Sequence, residues 1–116
     1  MQKYVLLIYH GSAWANLSRL SDDEKRSIGE EYAAINNTPG VTPGPPLGLP
    51  KDATTVRVKD GAAQTTGGPF VSTEGAVGGL LVFEANDLDA AIKMASRIPA
   101  ARLGGAIEIR PVGTYW

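Results

Sequence analysis

The stretch Val5-Leu6-Leu7-Ile8-Tyr9 contains no polar residue, and it decides the fold that we expect. Alternate side chains of a strand point to opposite faces, so this run predicts a strand that is covered on both faces. The segment Gly78-Gly79-Leu80-Leu81-Val82-Phe83-Glu84 has the same character and predicts a second strand of this kind. A sheet with these two strands at its centre needs apolar cover on each side.

One amphipathic helix is predicted after each of these strands. Ser21 and Glu24 form a capping box, which starts the first helix, and Asn86 is the predicted N-cap of the second, which Pro99 stops. The apolar stripe of the first helix consists of Ile28, Tyr32 and Ile35. The stripe of the second consists of Leu88, Ala91, Ile92, Ala95 and Ile98. Each stripe predicts a helix that packs on one face of the sheet.

Further strands are predicted between and after the helices. The proline-rich segment Val41 to Pro50 is predicted to be an edge strand or an extended loop, because proline cannot donate to a sheet. Thr54 to Lys59 alternates and is followed by the turn pair Asp60-Gly61, which predicts a hairpin with a weak second arm through Gln64 to Thr66. Ala106 to Val112 alternates and predicts the last strand.

The order of these elements predicts one α+β domain over residues 1–116. We expect a ferredoxin-like antiparallel sheet with both helices on one face and an extra hairpin inserted before the central strand. The helices cover only one face, so a second copy of the sheet is predicted to cover the other face in a two-fold homodimer. The alternative is a monomer in which the hairpin and the tail 113–116 supply the cover.

Composition excludes several classes of function. The net charge is −1, the pI is about 5.7 and no basic stretch is present, so we expect no nucleic-acid partner. The chain has no cysteine and a single histidine, His10, which excludes disulfides and Cys-rich or His-rich metal sites. No cofactor is predicted. The sequence has no export signal and no segment that could span a membrane, which favours the cytoplasm.

Strand alternation also predicts where polar side chains lie. Ile107 and Ile109 should face the helices, which turns Glu108 and Arg110 toward the face covered by the partner. In the hairpin, the residues Val56 and Val58 should pack while Thr55, Arg57 and Lys59 point away. Charged groups beside an enclosed apolar face are costly unless they are paired or contact a ligand. This predicts a binding cleft between the sheets.

Several stretches together resemble the DGPF branch of the YCII-related proteins over nearly the whole chain. They are 3–9, 53–61, Gly68-Pro69-Phe70 with Thr73, Gly78-Gly79, and 97–102 running into 107–112. The resemblance implies a dimeric α/β barrel made of two ferredoxin-like sheets. The branch has no settled reaction, so the resemblance does not imply a particular activity. Members are often encoded near genes for sigma factors of the extracytoplasmic-function type, which implies a regulatory setting.

The chain departs from the motif after which this branch is named. Where the family reads Thr-Asp-Gly-Pro-Phe-Ala-Glu-Thr-Lys-Glu, this chain has Gly67 for the Asp, Ser72 for the Glu and Glu74 for the Lys. Related YCII-like proteins are thought to use a His-Asp pair, and the corresponding helix here has no histidine. The resemblance therefore implies a retained loop shape without the family's ionisable groups.

Two residues are candidates for catalysis, and each has a structural alternative. His10 titrates nearest neutrality and is a candidate general base, or a histidine held by backbone groups at the end of a strand. Glu74, beside the glycine-rich loop, is a candidate acid or base, or an exposed carboxylate.

Five further residues are candidates for ligand binding: Arg57, Phe70, Arg102, Glu108 and Arg110. The arginines suit an anionic ligand because the guanidinium group is planar and forked. The alternative for Arg57, Glu108 and Arg110 is an ion pair at the dimer seam, and the alternative for Arg102 is a cap on the carbonyls of the second helix.

Three functions remain open at this point. The first is binding of a small molecule, including an anion, in the cleft between the sheets. The second is a cofactor-free isomerase, lyase or monooxygenase that uses His10 or Glu74 as its base. The third is a non-catalytic interaction protein linked to transcriptional regulation.

Overall fold

The computed structural model describes residues 1–71 and 77–114, with the exception of the Trp14 side chain. These residues form six strands, four helices and a 3-10 turn at Pro50–Asp52. The strands are β1 (Gln2–Tyr9), β2 (Val41–Pro43), β3 (Thr54–Lys59), β4 (Ala62–Gly67), β5 (Val77–Ala85) and β6 (Ala106–Pro111). The helices are α1 (Ala13–Leu17), α2 (Asp22–Asn36), α3 (Leu88–Arg97) and α4 (Pro99–Arg102). The mixed α+β class is therefore confirmed.

The main sheet has the strand order β2-β5-β1-β6, and every neighbouring pair is antiparallel. The two strands that are apolar on both faces, β1 and β5, lie at its centre, and the proline-containing β2 lies at its edge. The helices α2 and α3 each connect two strands that are not neighbours, so the order agrees with a ferredoxin-like arrangement. Strands β3 and β4 form a separate hairpin, inserted before β5 as the sequence predicts.

The core lies between one face of the sheet and the helices. Leu6 of β1 is fully buried and pairs with Leu81 on one side and Ile109 on the other. The helices supply further buried side chains to this cluster, among them Ile35, Met94 and Ala95, and Ile98 joins it from the junction between α3 and α4. The prediction that Ile107 and Ile109 face the helices is confirmed, because both pack against this core.

The first predicted cap is confirmed and the second is wrong by one residue. The Glu24 backbone N–H donates to Ser21 Oγ at 3.2 Å, and the Ser21 N–H donates to Glu24 Oε1 at 3.2 Å. At α3, Asp87 and not Asn86 is the N-cap, and its carboxylate accepts from the Ala90 N–H at 2.9 Å. Both residue types can cap, so the packing of the helix decides between them.

The stripe predicted for α3 also needs correction. Ala91 and Ala95 are buried as expected, but Leu88 and Ile92 are 51% and 46% exposed, because the buried face turns toward Met94 instead. Pro99 follows the end of α3 and also starts α4, where proline fits because its missing N–H is not needed in a first turn.

The opposite face of the sheet carries a second set of apolar side chains, which we call the open face. Val5 pairs with Val82, and Leu7 pairs with Leu80, on the side of the sheet away from the core. Val5, Leu7 and Val82 are only half-buried, and Leu80 is 37% exposed. The sequence prediction that Val56 and Val58 pack is wrong within one chain, since these side chains are 60% and 72% exposed.

No helix in the described parts of the chain combines the length and the apolar character needed to cross a membrane.

Candidate functional site

His10 lies where the chain leaves β1, in a turn that is held closely by its neighbours. The His10 carbonyl accepts a hydrogen bond from the Ala13 N–H at 2.7 Å, which starts α1. Gly11 has a φ of 53°, and a Cβ there would lie 2.5 Å from the Gly104 carbonyl oxygen. Only glycine fits such a left-handed, close approach, so the backbone on either side of His10 has little freedom.

The His10 ring packs directly on Gly78. Ile8 pairs with Gly79 but Tyr9 pairs with Val77, so Gly78 is the extra residue of a β-bulge. A Cβ at Gly78 would lie 2.0 Å from His10 Cδ2 and 2.3 Å from Nε2. The imidazole therefore fits in this position only because residue 78 has no side chain.

The imidazole borders a cleft of about 420 Å³ on the helix side of the sheet. One wall is the segment 44–47, which is tied to β5 because the Gly44 N–H donates to the Leu80 carbonyl at 3.1 Å and the Leu47 N–H to the Gly78 carbonyl at 3.0 Å. The opposite wall is α2. The lining is mostly apolar and includes Ile8, Leu17, Pro45, Pro46 and Leu81.

Three polar side chains join this apolar lining. His10 comes from the end of β1, and Tyr32 and Asn36 come from one face of α2, four residues apart. The floor includes Gly79, where a Cβ would be 4.0 Å from both Ile8 Cδ1 and the Pro45 carbonyl oxygen. Position 79 therefore has room for a larger side chain, which would extend into the cleft.

The side chains that line the cleft are uncharged, although the Arg102–Glu31 ion pair lies near Tyr32. Burial lowers the pKa of His10 below its usual 6.5, so the imidazole is neutral at pH 7. Burial raises the pKa of Tyr32, against the opposing effects of a backbone hydrogen bond from Ala100 and of the nearby Arg102. Among the described residues that line the cleft, none carries a charge at neutral pH. The site can bind apolar groups and form neutral hydrogen bonds.

Glu108 and Arg110 lie on the open face, as strand alternation predicts. They stand opposite Leu7 and Val5 in the register of β1 and β6. Arg110 Nε lies 2.5 Å from Glu108 Oε2, and the Tyr9 hydroxyl donates to Glu108 Oε1 at 3.5 Å. Within one chain these two side chains form an ion pair beside the apolar centre of the open face.

The other predicted binding residues lie elsewhere. The guanidinium of Arg57, on strand β3 of the hairpin, is 5.4 Å from the centre of the Phe70 ring, and both residues are exposed. Arg102 Nη2 pairs with Glu31 Oε2 at 2.7 Å on the outer helix surface. The structure therefore places the predicted binding residues on three separate surfaces, and none of them lines the cleft at His10.

Parts of the sequence prediction fall outside what the structure describes. Glu74, the second candidate base, and Ser72, which stands where the motif of the resembled branch has Glu, both belong to residues 72–76. Gly67, which stands where that motif has Asp, is the last residue of β4 and is exposed.

Sequence reasoning missed most of the cleft. It assigned Tyr32 to an apolar stripe, Asn36 to the end of a helix, and Gly78 and Gly79 to the start of a strand. A signal was available for the glycines, because a glycine pair inside an apolar strand marks a bulge or a close approach. For Tyr32 and Asn36 no local pattern distinguishes a cleft wall from an ordinary helix face.

The family model of the YCII-related domain matches residues 3–115. No curated protein matches.

Proposed function

The chain belongs to the YCII-related family, and we propose that this member binds an uncharged small molecule in the cleft beside His10. The observation that carries the proposal is the cleft itself. Its volume of about 420 Å³ lies in the range of small-molecule sites, roughly 300–1,000 Å³, which are typically apolar with few polar groups. His10 and Asn36 supply those polar groups from two separate elements.

The character of the lining indicates the chemistry of the ligand. Binding an anion in an apolar cleft is costly unless a cation compensates it, and the described lining offers a neutral imidazole, a neutral phenol and an amide. Pro45, Pro46 and the Tyr32 ring offer flat apolar surfaces. A ring-shaped molecule with one carbonyl or hydroxyl group fits these features better than the anion considered from the sequence.

The test compares matched neutral and charged probes. Wild-type protein is mixed with 2-naphthol and 1-indanone, and separately with 2-naphthoate, while the thermal midpoint and the His10 proton resonances are followed. We expect the neutral probes to raise the midpoint and to shift the resonances. If no probe changes the thermal midpoint or the His10 resonances, the proposed site is refuted. If 2-naphthoate binds better than the neutral probes, the proposed ligand class is refuted.

A filled-cleft variant tests the location. Gly79→Leu should abolish binding, because the new side chain occupies the floor. The matched control is Gly29→Leu in α2, where nothing lies within 4 Å of the added Cβ, and it should bind like wild type. Binding that survives Gly79→Leu would place the ligand elsewhere.

A second candidate function is proton transfer by His10. The lowered pKa keeps the imidazole in its neutral, proton-accepting form at pH 7, and its ring borders the cleft. A general base at this position would remove a proton from a carbon next to a ketone and return it. Deuterium incorporation from solvent into 2-indanone tests this. His10→Gln should abolish the protein-dependent rate and Glu74→Gln should leave it intact, and the reverse result would make Glu74 the base.

We also propose that the protein is a homodimer formed through the open face. Val5, Leu7, Leu80 and Val82 form an apolar centre, beside which lies the Glu108–Arg110 ion pair. An apolar centre with a polar rim is typical of an interface. This arrangement supports the dimeric barrel that the resemblance implies. We also propose that the chain belongs to the DGPF branch of the family, because it retains Gly68-Pro69-Phe70 of the motif.

The dimensions of the chain support this interface. Its accessible surface is 7967 Å², whereas a compact monomer of this mass exposes about 6,100 Å². Its radius of gyration is 16.2 Å, against about 13 Å for a compact domain of this length. The excess surface exceeds the roughly 800 Å² that each partner gives to a standard interface. Sedimentation equilibrium tests the dimer, and Leu80→Glu on the open face should dissociate it.

A further inference from the structure

Among the residues that the structure describes, the hairpin β3–β4 packs least against the rest of the molecule. Its strands form a sheet of their own, and its two closing hydrogen bonds, from the Gly68 N–H to the Ala53 carbonyl and from Thr55 Oγ1 to the Gly68 carbonyl, both at 2.8 Å, lie within its own base. No other described strand or helix packs extensively against it. An isolated two-stranded hairpin is marginally stable at best in water, so this one needs a surface to pack on.

The hairpin has one apolar and one polar face. In its register Val56 stands opposite Thr65 and Val58 opposite Ala63, and these four residues share a face. Arg57 stands opposite Gln64 on the other face. Both valines are more than half exposed. We call the surface of Val56, Val58, Ala63 and Thr65 the valine face.

The base of the hairpin lies near the open face. A trough of about 580 Å³ joins the base of the hairpin, at Ala53 and Pro69, to Tyr9 and Val77 at the end of the main sheet. Tyr9 is the residue whose hydroxyl reaches Glu108 on the open face. The hairpin therefore starts beside the open face, and a molecule seated on that face lies within its reach.

We propose that the hairpin is a dimerisation arm, which packs its valine face on the second copy of this chain that is seated on the open face. The inference rests on the proposed homodimer and extends it. In a two-fold dimer each copy presents the same surfaces, so the arm of each copy packs on the other copy. The arm accounts for two features together. One is the apolar face of the hairpin, which is exposed in a single chain. The other is the accessible surface of the chain, which is larger than that of a compact monomer of the same mass.

The test is the dimer dissociation constant of hairpin variants, measured by sedimentation equilibrium. Val58→Glu places a charge on the valine face, and Gln64→Glu, the matched control, places the same charge on the opposite face of the same hairpin. We expect at least a tenfold increase in the dissociation constant for Val58→Glu and less than a twofold change for Gln64→Glu. Because the hairpin is not part of the core, far-UV circular dichroism and the His10 resonances should show that the body of both variants stays folded.

The outcomes separate the arm from the dimer itself. If Leu80→Glu dissociates the dimer while Val58→Glu does not, the dimer stands and the arm is refuted. If the wild type is monomeric at every concentration, both are refuted. If Gln64→Glu weakens the dimer as much as Val58→Glu, the valine face is not the contact. Hydrogen exchange gives a second readout, since hairpin amides should be protected above the dissociation constant and exchange freely below it.

Discussion

The contact between His10 and Gly78 predicts that Gly78→Ala changes the stability of the protein in opposite directions when the His10 ring is present and when it is absent. A Cβ at position 78 would lie 2.0 Å from His10 Cδ2, whereas carbon atoms in contact normally stand about 3.5–4.0 Å apart. In Gly78→Ala the ring must therefore move by about 1.5 Å or more. Overpacking of this kind typically costs about 1–3 kcal/mol, and we expect the free energy of unfolding to fall by that amount.

The same substitution should behave oppositely when the ring is absent. The three atoms nearest to the added Cβ all belong to the His10 side chain, so His10→Ala removes the clash. Gly78 has no left-handed φ, and alanine in its place restricts the unfolded chain, which typically stabilises by about 0.4–1 kcal/mol. In the His10→Ala background, Gly78→Ala should therefore be neutral or stabilising.

Urea denaturation of the four proteins in this double-mutant cycle measures the coupling. The His10 proton resonances, which need no assignment because the chain has one histidine, report ring displacement in Gly78→Ala. An equal cost of Gly78→Ala in both backgrounds would refute the reasoning. So would a stable Gly78→Ala variant with unshifted His10 resonances, since the ring could then not be where the structure places it.

Four further predictions concern single sites. NMR titration should give His10 a pKa below 6.5, and because the unfolded chain then binds the proton more readily, stability should decrease as the pH falls below about 6.5; a pKa of 6.5 or above, or an unchanged pH dependence in His10→Gln, would contradict this. Gly29→Ala, in an exposed and open part of α2, should stabilise by about 0.5–1 kcal/mol in urea denaturation, and a loss of stability would show an unsuspected packing role. Ser21→Ala removes the capping box and should cost about 1 kcal/mol; no change would mean that the cap contributes nothing to stability. Leu6→Ala at the fully buried centre of β1 should cost about 2–5 kcal/mol, and a smaller loss would place this side chain outside the core.

The elements of the main sheet were predictable because their signals are local. The apolar run of β1 and the similar run of β5 mark strands that pack on both faces, and these strands lie at the centre. The Ser21 capping box and the alternation that places Ile107 and Ile109 are also contained in a few consecutive residues. Such patterns reflect strand and helix geometry, which depends little on the rest of the chain.

The exposure of individual side chains was less predictable. Leu88 and Ile92 fit a helical stripe, yet α3 turns Met94 inward and leaves both exposed. Several rotations of this helix bury an apolar stripe, and only the shape of the sheet surface selects one. Val56 and Val58 follow a strand pattern correctly, but a pattern specifies a face and not the surface that covers it.

Sequence by itself determined the helices α2 and α3, the strands apart from β2, the central position of the two apolar strands and the faces of β6. Only the tertiary structure decided the cleft, because its polar groups come from the end of β1 and from α2, and its floor from glycines of β5. No periodicity relates residues so far apart in the chain. Their meeting depends on the bulge at Gly78 and on how closely the turn after β1 packs, which are properties of three-dimensional contact.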